Sequence, residues 1–165
     1  RVGLTSARNV GFCESLGVYD RVLPYEQLDA IESHTPCVYV DFAGDAPLRR
    51  AIHERFTRLA YSCAVGATHV EQFGTGSARD LPGPRPVFFF APAQADKRRA
   101  EWGAQELARR AGEAWHAFRS HVMQPSAPWL VVRRHTGIEG LAQAHAIVLA
   151  GQADPREGHV IDVGG

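Results

Sequence analysis

The sequence predicts an α/β fold built on a parallel sheet with flanking helices. Three observations carry that prediction. Short runs of β-branched and aromatic residues alternate with longer amphipathic segments, in the strand, helix, strand succession of crossover units. Glycines stand where such segments end, at Gly17, Gly44 and Gly66. Hydrophobic residues make up 45% of the 165 positions, enough for one domain with a substantial core.

Taken in order, Val2-Gly3-Leu4-Thr5 reads as the first strand. It runs directly into a helix over residues 7–16 that Gly17 can close in a left-handed cap. Residues 21–23 form a short second strand. Cys37-Val38-Tyr39-Val40-Asp41 is the third, and it leads through Gly44 to a helix starting near Asp45, with Pro47 suited to the first turn. Leu59 to Ala64 is the fourth strand, closed by Gly66. Residues 68–86 crowd glycines and prolines without an apolar period and read as a long loop. The unbroken run Val87-Phe88-Phe89-Phe90 has the pattern of a strand covered on both faces, with Pro92 as its stop. A helical region follows over 96–123, with a break possible at Gly103. Leu107, Ala111, Trp115, Phe118 and Val122 recur there at helical spacing and predict a core-facing stripe. Residues 129–133, 138–149 and 159–163 read as a last strand, helix and strand.

Charge and cysteine usage exclude several classes of function. Lys+Arg and Asp+Glu both total 18, so no global field draws the chain to nucleic acid or to anionic lipid. The three cysteines, Cys13, Cys37 and Cys63, form no CxxC pair, which argues against a disulfide framework and against a structural zinc site. No apolar run has the length of a membrane span, and the opening residues lack the pattern of a secretory signal, so the expected location is cytoplasmic.

The opening segment holds the main chemical signal. A strand ending in Thr5 and Ser6, followed by Arg8 and Asn9 in the first helical turn, is an anion site in outline, because free backbone N–H groups and the positive dipole end converge there. By themselves these residues suit a helix cap and a solvated arginine equally well. Among the eight histidines only His69 stands near the presumed site, and none pairs with another at metal-ligand spacing on a helix. Cys63, inside an apolar strand, reads as a small buried hydrophobe rather than a nucleophile.

The order of these pieces resembles the carboxy-terminal part of the medium-chain dehydrogenase/reductase superfamily. The nearest likeness is to its zinc-independent quinone oxidoreductases and to a related domain-of-unknown-function group. The resemblance is carried by Val2-Gly3-Leu4-Thr5-Ser6-Ala7-Arg8-Asn9, by Ser15-Leu16-Gly17-Val18-Tyr19-Asp20-Arg21-Val22 with Tyr25, and by Val38-Tyr39-Val40-Asp41-Phe42-Ala43-Gly44 with Val65-Gly66-Ala67. Leu141-Ala142-Gln143-Ala144-His145 and Gly158-His159-Val160-Ile161 resemble the family's last helix and strand. No single piece is a strong motif; order and spacing carry the match.

The resemblance implies a Rossmann-like, doubly wound, mostly parallel sheet that lacks its first strand and Gly-rich loop. No GxGxxG occurs. Residues 1–165 would then be an incomplete nucleotide-binding domain, with 159–165 as a closing strand returning toward an absent amino-terminal domain. In the strand order 3-2-1-4-5-6 the missing strand falls between Val2–Thr5 and the strand of Val38 to Asp41. Unpaired edges along such a slot predict that the chain is unstable in isolation.

The resemblance further implies NADP(H) as cofactor. NAD-specific folds hold the ribose with an acid after the second strand, whereas this slot has Thr5 and Ser6 with Arg8 following. Tyr25 falls where relatives place a tyrosine near the same phosphate, and a half-buried structural tyrosine explains it as well. Asp41 and Gly44 would lie at the end of the next strand, close to the cofactor. Val65, Gly66 and Phe90 would offer backbone groups near the nicotinamide ribose, although Gly44 and Gly66 also suit plain turns. The implied chemistry is hydride transfer to or from a carbonyl, quinone or activated alkene as small-molecule substrate. No catalytic residue is assigned, and no metal site is implied. A homodimer paired through residues 129–133 is the implied assembly. Two other classes fit less of the pattern: a non-catalytic dinucleotide-binding protein, and an S-adenosylmethionine-dependent methyltransferase.

Overall fold

The computed structural model describes residues 1–66, 80–124 and 129–164. Among these residues the chain forms seven strands and five α-helices, and it divides into two compact units, residues 1–107 and 108–165. Every strand pairing is parallel, so the α/β class read from the sequence holds.

The first unit contains two sheets. β1 (Val2–Thr5) pairs with β2 (Arg21–Pro24), and Leu4 stands opposite Leu23. β3 (Cys37–Asp41), β4 (Leu59–Ala64) and β5 (Val87–Phe88) form the second sheet in that order. β1 and β3 are not paired with each other, and each has one edge without a strand partner among the described residues. The two sheets nevertheless share one apolar cluster. Leu28, Ile52, Phe56 and Leu59 are its buried centre, and Leu4 of β1 packs on it together with Cys37 and Tyr39 of β3.

α2 (Ala46–Arg55) supplies Ile52 and ends just before Phe56 of that cluster. Its start has the physical causes expected of it: the Asp45 carboxylate accepts from the Leu48 N–H at 2.8 Å, and Pro47 sits in the first turn. Its C-terminal arginine, Arg55, donates to the Asp29 and Ile31 carbonyls, tying the helix to the 3-10 segment Tyr25–Ala30 and the residue after it. α2 covers one face of the three-stranded sheet. On the other face Val38, Val40, Tyr61, Val87 and Phe89 stay exposed.

Several elements differ from the sequence reading. The expected helix over 7–16 is a 3-10 turn, Ala7–Asn9, followed by the six-residue α1 (Val10–Ser15). Asn9 donates its N–H to the Ser6 carbonyl at 2.9 Å, an i to i−3 bond that tightens the first turn. The run at 87–90 is not a strand covered on both faces: only Val87 and Phe88 pair, and all four residues are exposed. Pro92 stops nothing; it sits in the first turn of α3 (Ala91–Trp102), where its missing N–H has no helical partner to lose. The expected loop at 68–86 and His69 fall largely or wholly outside the described residues.

α4 (Ala104–Val122) follows the break at Gly103, whose φ of 85° is the left-handed geometry that ends α3. Its predicted stripe does not face a core: Val122 is buried, but Trp115 and Phe118 are 62% and 47% exposed. In the second unit β6 (Val131–Thr136) and β7 (Glu157–Asp162) form a two-stranded sheet, with α5 (Gly137–Leu149) packed on both strands. β6 starts two residues later than the 129–133 expectation and runs to Thr136. β7 starts two residues earlier than expected and stops at Asp162. Among the described residues no helix is long and apolar enough to cross a membrane.

Candidate functional site

The predicted site residues all lie at the C-terminal ends of parallel strands in the first unit or in the segments that follow them. That is where open α/β sheets gather ligand-binding loops. At the end of β1, Thr5 and Ser6 are half-buried, and Ser6 is extended with a side chain that makes no capping bond. Arg8 is exposed, with no side-chain partner among the described residues. Asn9 is half-buried and precedes α1 without capping it. Because the helix here is a 3-10 turn and six further residues, little macrodipole accumulates, and Arg8 is the positive feature of this corner.

Tyr25 follows β2 and is half-buried. Burial raises its phenol above the ordinary value, and Asp45, Asp41, Cys13 and Glu26 push it the same way. The hydroxyl therefore stays protonated and neutral, able to donate. The same fields place Tyr25 in the electrostatic neighbourhood of Asp41 and Asp45, so the fold brings the end of β2 toward the end of β3.

Asp41 is not a free ligand group. It is 3% exposed, its Oδ1 accepts from the Gly44 N–H at 2.8 Å, and its Oδ2 accepts from Arg49 Nε at 3.1 Å. Its carboxylate shapes the turn into α2, and Gly44, at φ 73°, adopts the left-handed conformation that the turn requires. Tyr39, two residues earlier, is driven upward mainly by burial and then by the Asp41 carboxylate, so it too is a neutral phenol.

Val65 and Gly66 have a similar internal explanation. Both N–H groups donate to the Asp41 carbonyl, at 2.8 and 3.2 Å. A Cβ on Gly66 would stand 2.1 Å from the Phe42 carbonyl oxygen, so glycine is required here by a close approach of the chain to itself. Phe90 lies beyond β5, exposed, at the start of α3. The strand-end loops of β3 and β4 are thus fastened to each other through Asp41, while among the described residues the Ser6 and Arg8 side chains after β1 have no such partner.

Two arrangements were not anticipated from the sequence. The first is the Arg49 partner of Asp41, eight residues away and brought back by the first turn of α2. The second is a buried chain of bonds across α2 and β4. His53 Nδ1 lies 2.9 Å from the Pro82 carbonyl, which can only accept, so Nδ1 carries the proton. Nε2 then accepts from the Ser62 hydroxyl at 2.9 Å. His53 and Ser62 are 3% and 1% exposed, which closes them to any substrate. The helical position next to Ile52 was the available signal for a buried His53; Ser62 had none, because burial along β4 does not alternate and Ser62 and Cys63 are both buried. Cys63 is buried, as read. No group of three or more metal-ligating side chains occurs among the described residues. An open groove between the Tyr25–Ala30 segment and α2 is lined by Glu26, Asp29, Ser33 and Glu54 with Arg55, an acidic surface ill suited to phosphate.

A family model matches residues 1–154 of the chain. The chain belongs to DUF2855, a family described as protein of unknown function. No curated protein and no solved structure matches it. For this DUF2855 chain the functional reading therefore rests on its own residues, with the corner after β1 as the candidate site.

Proposed function

We propose that this DUF2855 chain carries the cofactor-binding part of an NADP(H)-dependent oxidoreductase of Rossmann-like architecture. The observation that carries the reading is Arg8, an exposed cation without a side-chain partner among the described residues, two positions after Ser6 at the C-terminal end of a parallel strand. No acidic residue stands between Thr5 and Cys13 to hold a bare ribose hydroxyl pair. The pairings β2-β1 and β3-β4-β5, with unpaired edges on β1 and β3, support a doubly wound sheet whose central strand comes from elsewhere.

The donor set fits a dinucleotide phosphate: Arg8 supplies the charge, and Ser6 and the neutral Tyr25 phenol supply hydrogen-bond donors. When bound, the cofactor supplies the hydride. The chain's own task is to bind and orient it. Asp41 acts at one remove by fastening the β3 and β4 loops, and Gly66 takes part as backbone against backbone. The substrate class is a carbonyl, quinone or activated alkene.

Calorimetric titration with NADPH, NADH and S-adenosylmethionine tests the reading. Tighter binding of NADPH than NADH is expected. Binding of S-adenosylmethionine alone overturns it, and preference for NADH removes the role given to Arg8. NADPH binding with no hydride transfer to quinones, enones or aldehydes by the full-length protein would make it a non-catalytic dinucleotide-binding protein.

A further inference from the structure

We propose that Arg49 is a second anion-binding residue at the strand ends, its outer guanidinium nitrogens taking phosphoryl oxygens other than those assigned to Arg8. The proposal rests on the dinucleotide reading and adds a residue for the phosphates that NADPH and NADH share. Arg49 stands in the first turn of α2, and side chains on a helix lean toward its N-terminal end. Its guanidinium therefore returns to the end of β3, where Nε donates to Asp41 Oδ2 at 3.1 Å.

That bond uses one of the five N–H donors of the group. Nη1 and Nη2, which carry the other four, have no partner among the described residues. The side chain is only 18% exposed, so most of it has left water while these donors stay unpaired. Donors in such surroundings favour a partner. Neither nitrogen is sealed off from solvent, so a ligand can reach both. Asp41 keeps the fork still: it is 3% exposed, and its other oxygen accepts from the Gly44 N–H. A guanidinium fixed beforehand loses little further freedom when it binds.

The surroundings place Arg49 beside the residues already assigned. Thr5 pairs with Pro24, which sets Ser6 and Tyr25 at neighbouring positions just past β1 and β2. Leu4 of β1 and Tyr39 of β3 pack on one apolar cluster, and Tyr25 feels the charges of Asp41 and Asp45. Asp41 balances the charge of Arg49, and Asp45 adds a second carboxylate nearby. The contribution of Arg49 is therefore directed hydrogen bonding rather than net attraction. A guanidinium can give two parallel bonds to a phosphoryl group while Nε stays on Asp41, and a single ammonium cannot serve both.

Calorimetric titration of the wild type and Arg49→Lys with NADPH and NADH tests this, with urea unfolding followed on both proteins. Lysine keeps a cation against Asp41, so the variant is expected to stay folded. Its affinity for NADPH and for NADH is expected to fall by the same factor, about tenfold to a hundredfold. Unchanged affinity for both overturns the proposal, and so does a loss confined to NADPH, which would give Arg49 to the extra phosphate. If the variant does not fold, the side-chain nitrogen resonances of Arg49 in the wild type decide. A shift of the Nη signals on adding NADH supports the proposal, and signals that stay in place while NADH binds overturn it. If the wild type binds neither dinucleotide, the dinucleotide reading fails and inorganic pyrophosphate becomes the probe. Pyrophosphate that moves the Arg49 signals keeps the anion site, and pyrophosphate that leaves them unmoved overturns it.

Discussion

Replacing Gly66 with alanine separates two explanations of why β4 ends in glycine. An added Cβ would stand 2.1 Å from the Phe42 carbonyl oxygen, 3.0 Å from its carbon and 3.3 Å from Cα. These are backbone atoms, so no rotamer change relieves the overlap. Moving that oxygen beyond 3.0 Å separates the two segments by about 1 Å. The Val65 and Gly66 N–H groups donate across the same gap to Asp41 at 2.8 and 3.2 Å, and the displacement takes both out of bonding range. At a net value of about 1 kcal/mol each, the expected loss is about 2 kcal/mol. Urea unfolding followed by circular dichroism reads this as a lower midpoint at unchanged slope. Gly11→Ala is the control: its Cβ meets nothing within 4 Å inside α1, and the gain in helix propensity is up to about 1 kcal/mol. A Gly66→Ala protein within about 0.5 kcal/mol of wild type, well under the value of two hydrogen bonds, refutes the reasoning. If that stable variant also lost NADPH affinity, Gly66 would belong to the ligand.

Further outcomes follow from the same structure. Arg8→Ala is expected to weaken NADPH binding by roughly tenfold to a hundredfold, the value of a charge-assisted phosphate contact, with NADH binding and unfolding unchanged; equal losses for both cofactors would remove Arg8 from the phosphate. Ile52→Ala, at a site 2% exposed in the cluster shared by both sheets, should cost about 2–5 kcal/mol in urea unfolding. Stability should also fall at alkaline pH. The folded state keeps the Tyr39 phenol protonated after the unfolded chain has released its proton, which costs up to about 1.4 kcal/mol per pH unit above about pH 10, and the more exposed Tyr25 shifts stability in the same direction by less. Tyr39→Phe should remove one share of that slope, and an unchanged slope would show that its burial does not govern its ionisation.

Local signals in the sequence were read well where the cause was local. Asp45 and Pro47 announce α2 because an N-cap and a first-turn proline act within four residues. The strand at 37–41 announces itself by β-branched and aromatic content. The errors share a cause as well. Val87 to Phe90 looks like a doubly covered strand because pattern reports apolarity and not cover, and here only two residues find a strand partner. The stripe on α4 was read as core for the same reason, yet Trp115 remains 62% exposed. The helix expected from Ala7 shortened because a 3-10 bond from Asn9 to Ser6 took the first turn, a choice that periodicity does not register.

At the candidate site the division is similar. The sequence by itself determined the parallel α/β class, the placement of Ser6, Arg8, Tyr25, Asp41 and Gly66 at or beyond strand ends, and the absence of an acid after β1, since these depend on residue type and short-range order. Only the tertiary structure decided which of these residues are free. Asp41 is consumed by Gly44 and Arg49, Gly66 by the Phe42 backbone, and His53 by Ser62 and Pro82, whereas Arg8 has no such partner among the described residues. The physical reason is that a side chain's availability depends on partners that folding brings from distant positions, as Pro82 is brought to His53 across 29 residues, and a one-dimensional pattern does not contain those distances.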